Sequence, residues 1–214
     1  MKRMRIAFTV ILLLITAASA AWYAGKFHQS GKISARKGAG SDADSALKEK
    51  LNAVALRAKQ YAALQGFNTG FCFLADMGIA SGKPRFFVYD LKKHAVSLEG
   101  LVTHGRCNQD WLSGRKYGNA VGCGCTSLGK YKIANAYHGK FGLAYKLNGL
   151  DSTNSNAYSR FVVLHSHQCV PENPVDPSPI CQSDGCPTVS PGFLQQLSAL
   201  IDNSGKPVLL WIFE

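Results

Sequence analysis

The sequence predicts a mainly β, α+β fold, a strand-dominated domain with two or more helices. Two observations carry this reading. Short segments rich in Phe, Val, Ile and Tyr recur from residue 71 onward, punctuated by turn residues. Two stretches instead repeat their apolar residues with a helical period. With 214 residues, 46% hydrophobic and 17% charged, the chain can bury one core of ordinary size. It shows no internal repeat and no sustained heptads, which excludes solenoids and coiled coils.

The chain opens with Lys2, Arg3 and Arg5, an apolar run over residues 6–15, and Ala18-Ser19-Ala20. A positive head, an apolar middle and an A-x-A site are the anatomy of a secretory signal peptide. Residues 6–25 carry no charge, so an uncleaved anchor is the alternative reading of residues 1–20. Either way the folded body is exported, to the periplasm or cell envelope. Residues 21–45, rich in Gly, Ser and Lys, read as a flexible basic linker. Membrane contact is expected only through this N-terminal part.

An amphipathic helix follows over residues 46–66. Leu47, Leu51, Val54, Ala58 and Tyr61 form one stripe, and Gly66 is placed as its stop. The body spans 67–214. Strands are expected at residues 71–76, 85–91 and 95–103, the last two joined by the Lys92-Lys93-His94 turn. Shorter strands are expected at 129–133, 142–147 and 160–165. Ser190 as N-cap with Pro191 behind it starts a second helix, whose buried face is Phe193, Leu194, Leu197, Leu200 and Ile201. Residues 207–213 are nearly all apolar, as an internal strand requires.

The apolar run 161–164 delivers His165-Ser166-His167, and about twenty residues later comes Ser183-Asp184-Gly185-Cys186-Pro187. Gly185 permits a tight bend with close approach of another backbone, and Pro187 keeps Cys186 extended. A thiol on such a bend has no helix dipole of its own, so it needs a neighbouring imidazole, from His165 or His167, to become nucleophilic.

A strand ending in His-Ser followed by Ser-x-Gly-Cys resembles the signature of the YkuD-type L,D-transpeptidases, and most of all the branch whose motif reads Gly-Cys-Pro. Residues 81–91, Ser127-Leu128-Gly129-Lys130-Tyr131 and Asn156-Ala157-Tyr158-Ser159-Arg160 add to the likeness, which covers about 67–214. The resemblance implies a YkuD-like β-sandwich with Cys186 as nucleophile and His165 as its base. The carbonyl of Ser166 would orient that imidazole, and the N–H groups of Gly185 and Cys186 would face an oxyanion. The implied partner is a peptidoglycan stem peptide, which loses a terminal D-amino acid through a Cys thioester; no cofactor is implied. Resolution of that thioester by water, as in an L,D-carboxypeptidase, is the alternative; a wall-binding module without catalysis is the other. Papain-like and NlpC-like peptidases place Cys before His, the reverse of the order here.

Two departures from the family pattern stand out. Asp184 occupies a position that is often His, and its carboxylate is expected to hold an imidazolium of His165 or His167. Pro187-Thr188-Val189 stands where many relatives carry an Arg, which leaves a carboxylate-binding role unassigned. His167 and Ser183 are further candidates for support of the site.

The seven cysteines leave at least one thiol unpaired. Cys169 and Cys181 bracket a loop with four prolines, placed where a lid would sit, and a bridge between them would contribute on the order of 3 kcal/mol. Cys107, Cys123, Cys125 and His104 lack the spacing of a zinc site, so no metal is expected. Cys72, mid-strand, reads as a buried small hydrophobe. The formal charge of +11 is scattered and accompanies no nucleic-acid-binding motif, so attraction to an anionic wall is the simpler reading and no nucleic-acid partner is expected.

Overall fold

The computed structural model describes residues 39–214. The expected signal or anchor, and most of the expected linker, lie outside the described residues. The chain divides into two compact units, Met1–Ala46 and Leu47–Glu214; of the first, only the opening turns of a helix are described. That helix, α1, spans Ala39–Gln65, so the linker expected to run to residue 45 ends earlier. Alanine favours helix, and Asp42 lies in the first turn, where a carboxylate meets the positive end of the dipole. Residues 42–46 are solvent-exposed, so no apolar stripe marks them.

Within the second unit the stripe of α1 is buried through Leu51, Val54 and Ala58, joined by Ala55 and Ala62. The helix stops at Gly66 (φ +75°), where Phe67 N–H reaches back to Ala62 O at 2.9 Å, a Schellman closure. Phe67 also packs its ring on Tyr61, 5.9 Å between centroids.

The strands are β1 (Phe71–Asp76), β2 (Phe86–Asp90), β3 (Ala95–Gly100), β4 (Gly129–Gly139), β5 (Gly142–Gly149), β6 (Val163–Ser166), β7 (Thr188–Val189) and β8 (Leu209–Phe213). They form one sheet in the order β3-β2-β1-β8-β4-β5-β6-β7. Strand β8 lies inside it, parallel to β1 and antiparallel to β4. Its position explains its composition. Leu210 and Ile212 face the main core, while Leu209 and Phe213 face α1. The same alternation sends Phe73 and Ala75 of β1 inward, and Cys72 and Leu74 toward α1.

The sheet curls. Just beyond β3, Val102 bridges Val189 of β7, so the two ends of the strand order meet around the core. Helix α2 (Pro191–Asp202) plugs this core with Phe193, Leu194 and Leu197. Its N-cap Ser190 accepts from Phe193 N–H, and the Glu172 carboxylate accepts from Ser190 Oγ (2.6 Å) and Gly192 N–H (2.8 Å). Asp76, buried at the end of β1, is held by Lys50 of α1 at 2.9 Å and by Gly78 N–H at 2.9 Å.

Candidate active site

Strand β6 carries His165, and the short β7 begins directly after Pro187. The two strands are parallel neighbours with His165 opposite Thr188. This pairing brings the His segment to the Cys segment. Cys186, His165, His167, Asp184 and Thr188 all line one cavity of about 440 Å³.

Hydrogen-bond directions fix the imidazole. His165 Nδ1 lies 3.0 Å from the Ser166 carbonyl, which can only accept, so Nδ1 carries the proton and Nε2 the lone pair. Thr188 Oγ1 sits 3.0 Å from Nε2 and donates to it. Phe141, from the tip of the β4–β5 hairpin, stacks on the His165 ring with 4.7 Å between centroids. Burial lowers the His165 pKa below its ordinary 6.5; the Ser166 hydrogen bond opposes the shift and nearby His167 adds to it. His167, also expected on this strand, lies just past the end of β6. It is exposed, and its Nδ1 accepts from Cys169 N–H at 3.1 Å.

The Cys186 thiol has other partners. Its Sγ accepts from Val163 N–H at 3.5 Å and approaches the Phe161 carbonyl at 3.8 Å. Burial raises its pKa above 9.0, and Asp184 adds a little, while the Val163 N–H and the Arg160 charge pull it down. With the imidazole shifted down and the thiol up, both groups rest neutral near pH 7.

The bend that presents Cys186 has one solution. Gly185 has φ +108°, and a Cβ there would stand 2.5 Å from the Cys125 carbonyl oxygen. Ser183 Oγ donates to Cys186 O (2.7 Å) and accepts from Gly185 N–H (3.2 Å), closing a local turn. One of the two expected oxyanion donors is therefore already engaged at rest. Thr103 Oγ1 supports the same Cys186 carbonyl at 3.2 Å. Arg160 fastens the wall behind the bend, donating to the carbonyls of Cys125 and Gly118 and to Ser127 Oγ.

The imidazolium expected to pair with Asp184 is replaced by an arginine. Arg106 Nε lies 2.7 Å from Asp184 Oδ1, and both side chains are substantially exposed. Arg106 also lines the cavity of Cys186. Arg106, Thr188 and Phe141 escaped the sequence reading: they come from a loop, a two-residue strand and a hairpin tip, none with a periodic signal.

Cys169 and Cys181 form a disulfide, and both line the cavity. Their loop covers a small apolar cluster of Leu101, Val170 and Ile180. A second disulfide joins Cys107 and Cys125, leaving Cys72, Cys123 and Cys186 as thiols. Cys72 is wholly buried, its pKa pushed up to about 12. His104 is held by Arg85 at 3.0 Å and by Gln182 at 3.3 Å. Among the described residues, no group of three or more His, Cys, Asp or Glu is placed to hold a metal ion.

The model of the L,D-transpeptidase catalytic domain matches residues 43–211. No curated protein matches the chain by sequence. Among solved structures, the helical cell shape determining protein Pgp2 of Campylobacter jejuni is 16% identical, with a TM-score of 0.41; the match covers 66% of this chain and 46% of that one. An L,D-transpeptidase from Mycobacterium smegmatis is 12% identical, with 67% and 58% covered and a TM-score of 0.39. L,D-transpeptidase 1 of Mycobacterium tuberculosis is 13% identical, with 68% and 62% covered and a TM-score of 0.35. The chain spans about half the length of the first of these proteins. The family match takes in α1 from residue 43 onward, the whole sheet except the last residues of β8, and both the His165 and Cys186 segments. The chain therefore belongs to the L,D-transpeptidase catalytic-domain family.

Proposed function

We propose that the protein is an exported cysteine acyltransferase that performs L,D-transpeptidation on peptidoglycan stem peptides. One observation carries the mechanism. His165 presents an unprotonated Nε2, fixed by the Ser166 carbonyl on its other nitrogen, in the cavity that also holds Cys186.

In this reading Cys186 Sγ leaves Phe161 O and Val163 N–H, and Nε2 leaves Thr188. Nε2 then takes the thiol proton as Sγ bonds to the peptide carbonyl of an L-centre. The Cys186 N–H stabilises the oxyanion, joined by Gly185 N–H once it is released from Ser183 Oγ. The C–N bond breaks, and the departing D-amino acid takes the proton from His165. A thioester remains. An amine of a second stem attacks it, gives its proton to Nε2, and expels Cys186 Sγ, which takes that proton back from Nε2 and restores the neutral pair. A neutral resting pair suits this sequence, because the proton moves only when an acyl group is in place. Arg106 takes the carboxylate-binding role left unassigned by Pro187-Thr188-Val189: its Nε is on Asp184, and its two Nη groups remain to clamp a substrate carboxylate.

The L,D-carboxypeptidase alternative uses the same steps with water as acceptor. Purified protein incubated with tetrapeptide muropeptides, beside Cys186→Ala and read by mass spectrometry, separates the readings. Cross-linked dimers that lose one terminal D-residue per link, absent from the variant, are expected. Tripeptides alone would make the protein a carboxypeptidase, and no Cys186-dependent product would overturn the catalytic reading.

A further inference from the structure

Arg85 carries a charge into the interior. It is 2% exposed, and burial pushes its pKa down only to about 10, so it stays cationic. Its Nε donates to Val102 O (2.9 Å) and its Nη1 to Ile79 O (3.1 Å), both neutral acceptors. Asp76, whose charge reaches it, is paired with Lys50 instead. Among the described residues no carboxylate lies at ion-pair distance from Arg85. A buried cation without a counter-charge is costly.

The neighbouring donors are equally unanswered. Arg85 Nη2 lies 3.0 Å from His104 Nδ1, and a guanidinium only donates, so Nδ1 accepts and the His104 proton sits on Nε2. Burial, with the charges of Arg85 and Arg115, pushes the His104 pKa down to about 4, so the ring carries that single proton. His104 Nε2 faces Gln182 Nε2 at 3.3 Å. Leu112 fixes the Gln182 amide: its N–H donates to Oε1 (2.8 Å) and its carbonyl accepts from Nε2 (2.9 Å). Both facing nitrogens are therefore donors. Among the described residues no acceptor meets the two converging N–H groups.

Arg85, His104 and Gln182 all line one cavity of about 440 Å³, with Arg115 at its rim. Its other walls include Ile79, Leu112 and Pro179, which suit carbon better than a fully hydrated ion. Trp111 and Gln182 are walls of the His165 cavity as well. We infer that this cavity binds a carboxylate on a short apolar chain, which accepts from His104 Nε2–H and Gln182 Nε2–H and supplies the counter-charge that Arg85 lacks. The donors are oriented by Arg85 and Leu112 before the ligand arrives. No acyl transfer is needed to fill the site, so it stands apart from the acyltransferase reading.

The test follows the His104 ring signals by NMR in the full chain carrying Cys186→Ala, with His104→Gln to assign them. Propionate is the first probe, and propionamide is its neutral isostere. Propionate is expected to shift the signals saturably and to bind at least about tenfold tighter than propionamide. A tetrapeptide, as free acid and as amide, is the second arm. A response to propionate makes free small acids the ligands; a response to the tetrapeptide acid alone assigns the site to a peptide carboxylate reaching past Trp111. Silence with both acids, or equal binding of acid and amide, overturns the site. Gln182→Glu sets the protein's own carboxylate beside His104 Nε2–H and is expected to weaken acid binding more than about tenfold. Arg115→Gln, at a half-exposed position that leaves the core untouched, is expected to weaken it about threefold. Affinity unchanged in both variants overturns the site.

Discussion

Phe141 lies face to face with His165, its ring centroid 4.7 Å from the imidazole and 18° from parallel. The phenyl ring keeps water off one face of the imidazole, and burial is the main reason the His165 pKa is low. Phe141→Ala hydrates that face and moves the pKa back up toward 6.5. In the proposed mechanism His165 must be neutral to accept the thiol proton, so the acid limb of the pH–rate profile shifts to higher pH in the variant. A fall in rate with no shift of the limb would mean that Phe141 only shapes the cavity.

Cys186 is held above 9.0 and His165 below 6.5, so thiolate and imidazolium are not the resting forms. Alkylation by iodoacetamide, which follows the thiolate, therefore has its midpoint above pH 9. Asp184→Asn removes a carboxylate that raises the thiol pKa, and lowers the midpoint; Arg160→Met removes a cation that lowers it, and raises the midpoint. A midpoint near 6 in the unmodified protein would establish a preformed ion pair instead.

Gly185→Ala is expected to lower turnover by about 100-fold or more, because displacing the thiol by an ångström is enough to cost that much. The added methyl meets the Cys125 carbonyl, and φ +108° is unfavourable for alanine, costing about 1–3 kcal/mol of stability. Thermal unfolding and single-turnover acylation measure the two effects separately.

Replacing Cys169 and Cys181 together by Ser removes a cross-link between residues 12 apart and lowers stability by about 3 kcal/mol. Both residues line the His165 cavity, so in the proposed reaction KM for the donor rises as well. Denaturant unfolding, with kinetics on the same samples, checks this. An unchanged KM would limit the bridge to a structural role.

Much of the architecture is legible in the sequence because its signals are local. The all-apolar run of β8 announces an internal strand, Ser190-Pro191 announces the start of α2, and the stripe of α1 is visible at its own period. The His165 strand and the Gly185-Cys186 bend are equally local. What escapes is set by contacts between distant segments. Asp184 meets Arg106 across 78 positions of sequence, and no pattern around either residue selects the other. Thr188–Val189 is too short to show alternation, yet its pairing with β6 and with Val102 assembles the site and closes the sheet. The first turns of α1 face water, so they carry no apolar mark.

The position of β8 orders the folding of the chain in time. This last strand lies between β1 and β4, pairing Phe73 with Leu210 and Lys132 with Leu209. Until residues 209–213 arrive, the two halves of the sheet share no strand, and the wall beneath α1 lacks Leu209 and Phe213. A chain still being made, or cut short before residue 209, therefore remains open however well its earlier hairpins pair. Such a long-range closure is slow to form. That delay keeps the polypeptide threadable until it is complete, which fits the proposed export of the chain across a membrane before it folds.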